Sequence, residues 1–387
     1  MKQKGMVVLS VILILVFLAS CTANTEIAVH TTDAPNDEGG IIFTTNEDHM
    51  PEPPPPRISR ATSPATVARD ASVDVQTAPH GYIAMGYIMY MNDNLYGRAP
   101  FTYQELEAAL WITQQLLDMG YAQEDIEMQQ FSWDDVYQWV LRQWSWNHWA
   151  TLEAHSFFRE FSAREGRISQ NVILTVPGQS RYVIVVGAHY DSFLFPGASD
   201  NASGVALLLE SAERMLHQDN YHTIVYVFFG AEEAGILGSY FFLDSLTYEQ
   251  RDNIIFMVNA DVLFEGPYPL YAAGYSQGNA PQANAVTRRV DDVANELYDL
   301  YDVEIGAFPE GIFWRTDHVP FLDAGFTVVV FTGLCENSFD SPHHGARIAH
   351  TYRDCIHYIN ETWPGKAQRA MHAYSVFLER ILLARYS

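Results

Sequence analysis

Residues 182–192 read Tyr-Val-Ile-Val-Val-Gly-Ala-His-Tyr-Asp-Ser. The first six form a continuous apolar run, the pattern of a strand buried on both faces. Chemistry-bearing side chains begin only where the run ends, at His189 and Asp191. The arrangement recurs. Thr223–Gly230 is apolar and Glu232-Glu233 follows; Ile254–Val258 is apolar and Asn259-Ala260-Asp261 follows. Phe326–Phe331 leads into a loop carrying His350-Thr351-Tyr352-Arg353-Asp354. Ser203–His217, Ile236–Leu246 and Ala283–Tyr301 read as helices between these strands, and Ala367–Tyr386 closes the chain as another. Strand–helix alternation predicts an α/β fold, a three-layer α/β/α domain around a mixed, mostly parallel central sheet. In such sheets sites form beyond the carboxyl ends of the strands, where each acidic or histidine cluster falls.

Working outward, Thr102 to Glu105 reads as a capping box, and Leu106, Leu110, Thr113 and Leu117 share one helical face before Gly120. Upstream, residues 22 to about 80 are rich in Thr, Asp, Asn, Ala and Pro, include Pro53–Pro56 and show no sustained periodicity, as expected of a tether. The segment 131–165 carries Trp133, Trp139, Trp144, Trp146 and Trp149, either a lid or cleft wall or simply buried aromatics.

The start of the chain sets the compartment. Lys2 and Lys4 precede an apolar stretch, Met6–Leu18, too short to span a bilayer comfortably. Leu18-Ala19-Ser20-Cys21 resembles the lipobox of bacterial lipoproteins, which implies cleavage before Cys21 and lipidation of its thiol. The expected organisation is a signal peptide over 1–20, a lipid-anchored linker over 21–80 and a catalytic domain over 81–387, outside the cytoplasmic membrane. With 47 acidic residues against 22 basic ones, a formal charge of −25, neither nucleic acid nor an anionic lipid surface is an expected partner through a basic patch. With Cys21 lipidated, Cys335 and Cys355 remain, either bonded across the loop that carries His350 or present as two buried thiols.

Imidazole and carboxylate are standard zinc donors, and carboxylates this close repel without a cation. Five candidate ligands in these clusters, beside a spare glutamate, exceed what one ion needs. They suggest two ions sharing a bridging carboxylate, typically about 3.5–4 Å apart. Of two adjacent glutamates, one can bind metal while the other stays free as a base.

The runs GAHYDS, GASDNASG, AEEAGILGS, NAD, TDHVPF and HTYRD resemble, in order, the signature set of the di-zinc exopeptidases. That family includes the bacterial leucyl aminopeptidases, with glutamate carboxypeptidase as a larger relative. The resemblance covers roughly residues 81–387. It implies that His189 and Asp261 hold one zinc, Glu233 and His350 the other, and that Asp200 bridges them. It implies Glu232 as general base and Asp191 as acceptor of a hydrogen bond from the far nitrogen of His189. Asp317 and His318 fall in an S-D-H-like run whose first position here is Thr316. His343 and His344 compete with His350, but only His350 begins an H-T-x-x-D run. Asn201 and Gly204 are expected to shape the turn after Asp200.

Two positions depart from the pattern. Ala349 stands where some relatives carry a tyrosine. Arg315, before the Thr-Asp-His run, either contacts substrate or forms a structural ion pair. The implied activity is a zinc-dependent exopeptidase on peptide substrates, in the first place an aminopeptidase. The rival readings are a glutaminyl-peptide cyclase with a single zinc and a non-catalytic peptide-binding relative. In the cyclases the glutamate-pair loop carries an inserted segment, whereas here Glu232-Glu233 runs straight into Ala234–Ser239.

Overall fold

Alternate residues along the inner strands face two different cores, which is why those strands read as unbroken apolar runs. On one face Ile184, Val186, Tyr226, Phe228, Phe256, Val258, Val329 and Phe331 join the larger core. On the other, Val185, Val227, Met257, Val328 and Val330 meet Phe242, Leu243, Phe321 and Leu322. The computed structural model describes residues 73–132, 168–193, 195–266, 268–274, 283–301, 303–308, 315–333 and 348–386. The signal, the tether up to residue 72 with Cys21, the tryptophans from 133 to 149, Cys335, His343 and His344 lie outside them. No helix among the described residues is long and apolar enough to cross a membrane.

The strands are β1 (Ile126–Phe131), β2 (Ser169–Val176), β3 (Val183–His189), β4 (Thr223–Phe229), β5 (Ile254–Ala260), β6 (Leu270–Gly274), β7 (Gly306–Ala307) and β8 (Thr327–Thr332). They form one sheet in the order β1-β2-β4-β3-β5-β8-β6-β7. The central strands β4, β3, β5 and β8 run parallel. β2 and β6 flank them antiparallel, and β1 is antiparallel to β2. The fold is therefore the expected mixed α/β sheet with a parallel centre.

The helices are α1 (Tyr82–Asn94), α2 (Tyr103–Met119), α3 (Ser203–Met215), α4 (Leu237–Ser245), α5 (Tyr248–Asn253), α6 (Ala285–Tyr301), α7 (Val319–Asp323), α8 (Ile356–Thr362) and α9 (Lys366–Leu383). Every residue of α3 is buried, including Glu210 and Arg214. Glu210 accepts from the N–H groups of Gly81 at 2.7 Å and Ala84 at 2.8 Å in the first turn of α1, and from Ser375 Oγ on α9 at 2.8 Å. Arg214 pairs with Glu210 at 3.0 Å and donates to the carbonyls of Val75 and Ala78. Residues 75–79 are thus fastened to the catalytic body ahead of the expected start at 81.

One expectation is corrected. The capping box forms, Glu105 N donating to Thr102 Oγ1, but the face of α2 that packs inward is not the one carrying Leu106, Leu110, Thr113 and Leu117. Leu110 is 53% exposed, and the buried positions are Glu105, Ala108, Ala109, Trp111, Ile112, Gln115 and Leu116. The alanines let the helix approach closely, and Trp111 stacks on Tyr90 at 5.1 Å. Cys355 stands half-buried at the N-cap of α8; Cys335 lies outside the described residues, so both readings of the Cys335–Cys355 pair stand.

Candidate metal centre

β3, β4 and β5 end side by side, and their exits supply His189, Glu232-Glu233 and Asp261. Between β3 and α3, residues 198–202 form an irregular turn, with a cis peptide between Asp200 and Asn201. Asn201 Oδ1 accepts from Gly204 N at 3.0 Å and its Nδ2 donates to Ala260 O at 2.9 Å. These two residues shape the turn, as expected, and turn Asp200 inward.

Asp200 stands between two imidazoles. Its Oδ1 is 3.1 Å from His189 Nε2, which also lies 3.2 Å from Asp261 Oδ1. Its Oδ2 is 3.1 Å from His350 Nε2, which lies 3.1 Å from Glu233 Oε2. Two donor groups result, His189–Asp200–Asp261 and Asp200–Glu233–His350, each with its donor atoms within 4.8 Å of one another. Glu232 belongs to neither. All five sequence-derived ligand candidates are gathered, and Asp200 is common to both groups. Phe193 stacks on the His350 ring at 5.5 Å.

The electrostatics call for a cation. Burial opposes charging of His189, yet Asp261, Asp191 and Asp200 together hold its pKa well above the usual imidazole value. His350 is pushed up to about 12, first by Glu233 and, against burial, by Asp200. Burial works to raise Asp200, but the two imidazoles hold it far below the usual carboxylate range. Protons on two imidazoles thus supply the charge these carboxylates demand. A dication supplies the same charge and displaces those protons, so the donor set fits a divalent metal in each group. Glu232 is raised well above the usual value, chiefly by burial, His189 opposing and Asp317, Glu233 and Asp261 adding to it. Burial likewise lifts Asp317 to about 7.

Behind the donors, buried carboxylates bind backbone N–H groups of the ligand loops. Asp191 stands beside the far nitrogen of His189: Nδ1 lies 3.5 Å from its Oδ1 and 3.1 Å from its main-chain carbonyl. The Asp191 carboxylate also accepts from Glu232 N at 3.1 Å and Glu233 N at 3.0 Å. Asp354 accepts from Ser199 N at 2.6 Å and Asp200 N at 3.0 Å. Glu265 accepts from Ile348 N at 2.8 Å and Ala349 N at 2.6 Å. Glu105 accepts from Ala231 N at 2.9 Å and Phe101 N at 2.6 Å. The loops so held contain non-glycine residues at positive φ, Ala231 at 55° and His350 at 60°, a conformation that persists only where surroundings over-determine it.

The supporting roles of Asp354, Glu265, Glu105 and the buried Arg98 are absent from the sequence reading. Arg98 donates to the carbonyls of Tyr190, Leu95 and Pro196 at 2.7–2.9 Å. The only signal available was the Asp ending the H-T-x-x-D run. Arg315 is exposed and makes no ion pair among the described residues. Thr316 Oγ1 accepts from Asp317 N at 2.7 Å, so the hydroxyl at that position fixes the turn. His222 is buried between Ser180 Oγ and Tyr386 N, and His357 pairs with Asp93. Both hold parts of the fold together.

The chain is 29% identical over 221 residues to the aminopeptidase YwaD of Bacillus subtilis, covering 55% of this chain and 44% of that one. It is 39% identical over 106 residues to the probable lipoprotein aminopeptidase LpqL of Mycobacterium tuberculosis, covering 27% and 21%. The matched stretch spans under half the length of these curated relatives. Among solved structures, the zinc aminopeptidase BSAP from Bacillus subtilis superposes with a TM-score of 0.59 at 17% identity, over 78% of this chain and 95% of that one. A glutaminyl cyclase from an Acidobacteriales bacterium superposes at 0.55 with 18% identity, over 80% and 97%. At such identities the likeness speaks for the fold alone. The model of peptidase family M28 matches residues 171–375, more than half of the chain and the span holding every candidate ligand, so the chain belongs to peptidase family M28.

Proposed function

We propose that this chain is a zinc-dependent exopeptidase, an aminopeptidase with two zinc ions per chain, held outside the cytoplasmic membrane by a lipid on Cys21. The observation that carries the two-ion reading is Asp200, whose two oxygens face different imidazoles at 3.1 Å. His189 and Asp261 would hold one ion and Glu233 and His350 the other, with Asp200 common to both groups. Bound there, the ions supply Lewis acidity toward the peptide carbonyl and lower the pKa of water.

The remaining work belongs to side chains of the protein. Glu232, outside both donor groups, takes the proton of the attacking water and hands it to the departing amine. Its raised affinity for a proton suits a group that must hold that proton between the two steps. Asp191 keeps Glu232 and Glu233 apart in function by fixing both backbone N–H groups, so that each side chain has one direction. The lipid anchor is supported by Leu18-Ala19-Ser20-Cys21 and by the relative described as a lipoprotein aminopeptidase.

The test is a panel of free and amino-blocked peptides, with and without a chelator, followed by mass spectrometry. Chelator-sensitive loss of single residues from free amino termini is expected. Faster cleavage of the blocked peptides overturns the aminopeptidase reading. Loss of ammonia from peptides beginning with glutamine, without cleavage, favours a cyclase, a reading that needs only one of the two donor groups.

A further inference from the structure

The final ligand is the one with least secondary structure around it. His350 sits in a turn at φ 60°, and among the described residues Ile348 and Ala349 lead into it. What fixes it is Glu265, four residues after Asp261 on the exit of β5. The Glu265 side chain is buried, 3% exposed, and one oxygen accepts from the N–H groups of both Ile348 and Ala349, the two residues that lead into His350.

The base on which Glu265 stands is itself tied down. Leu263 N donates to Ser203 Oγ at 3.2 Å and Phe264 N to Ser199 Oγ at 3.0 Å, fastening this segment to the Asp200 turn and the start of α3. Gly333, at the end of β8, packs so closely that an added Cβ would lie 2.2 Å from the Glu265 carbonyl oxygen. Glu265 therefore transmits the position of a rigid platform to a turn that lacks one. Asp191 and Asp354 act in the same manner on the Glu232-Glu233 and Asp200 turns, so three of the ligand turns are each tied by a carboxylate borrowed from another loop.

We propose that Glu265 is the positioning residue of the Asp200–Glu233–His350 group: by holding residues 348 and 349 it sets the affinity of that group, and not of the other, for a divalent cation. The inference rests on the two-ion reading above. Hydrogen-bonding partners behind metal ligands are typically worth about 10–100-fold in metal affinity, and a shift of that size is expected here in one binding step.

The experiment titrates Zn²⁺ into the metal-free full-length chain against a chelator of known affinity, for wild type, Glu265→Ala, Glu265→Gln and His350→Ala. Wild type is expected to bind in two steps and His350→Ala to lose one. Glu265→Ala should weaken that same step about 10–100-fold and leave the other in place. Glu265→Gln keeps an acceptor oxygen and should shift the step less, which separates lost positioning from a misfolded chain. Two steps in Glu265→Ala that overlie wild type, or both weakened by one factor, overturn the proposal while the two-ion reading stands. Two full steps in His350→Ala, or a single step in wild type, overturn that reading and leave Glu265 nothing to position.

Discussion

Glu232 and Glu233 are neighbours in sequence, yet the geometry separates them, and exchanging each tests the division of labour. Glu233 Oε2 is 3.1 Å from His350 Nε2 and belongs to a donor group of three. Removing it in Glu233→Ala leaves that group with two protein donors, one of them shared, so zinc content and rate should fall together. Glu232 belongs to neither group, and its backbone N–H is held by Asp191 whatever its side chain. Glu232→Gln keeps shape and hydrogen-bonding reach but cannot take a proton, so both ions should remain. Loss of a general acid–base group lowers rates by about 10²–10⁴, or about 2.7–5.4 kcal/mol at about 1.36 kcal/mol per tenfold. The loss should appear in kcat with KM little changed, because proton transfer matters only in the transition state. Zinc content by atomic emission and steady-state kinetics on the two purified variants decide it. Near-full activity in Glu232→Gln would refute the reasoning. So would its loss of a zinc ion while Glu233→Ala keeps both.

Gly204→Ala places a Cβ 2.4 Å from Ala260 O and 2.6 Å from Asn201 Oδ1. Overpacking of this kind costs about 1–3 kcal/mol and should lower the midpoint of chemical denaturation; an unchanged midpoint means the Asp200 turn is not held that tightly. Cys21→Ser should abolish incorporation of a labelled fatty acid, and labelling that persists in the variant sinks the anchor.

The inner strands were legible to within a residue or two because burial on both faces leaves no choice but apolar side chains. The sheet's flanks were not. β2 begins Ser169-Gln170-Asn171, all buried, and reads as a loop until its partners are known: Glu105 for Ser169, Tyr190 for Gln170, and the Gly238 carbonyl for Asn171. The face of α2 was misjudged because bulky residues were weighed over Ala108 and Ala109. The five candidate donors, which the structure brings together, were legible because metal binding needs particular side chains at strand ends. Glu105, Glu265 and Asp354 were not, because they act on backbone N–H groups, which every non-proline residue possesses and no motif records.

That choice of partner bears on the chemistry of the site. A buried carboxylate needs compensation, and a lysine or arginine would give it, at the expense of cancelling its charge. Backbone N–H groups fix a carboxylate in place while leaving it negative. The one buried guanidinium close behind the centre, Arg98, spends its hydrogen bonds on carbonyl oxygens. Burial lowers it to about 10 against the pull of Asp191, Asp354, Asp200 and Glu233, so it moderates the negative field without engaging any one acid. Burial raises Asp354 to about 8, Asp200 and Glu265 adding to the shift and the N–H groups of Ser199 and Asp200 opposing it. Rigid, cross-tied and still short of positive charge, such a cluster offers a dication the charge balance that two imidazole protons otherwise supply. The same hydrogen bonds that hold the ligand loops in shape therefore also preserve the field that makes the centre a metal site.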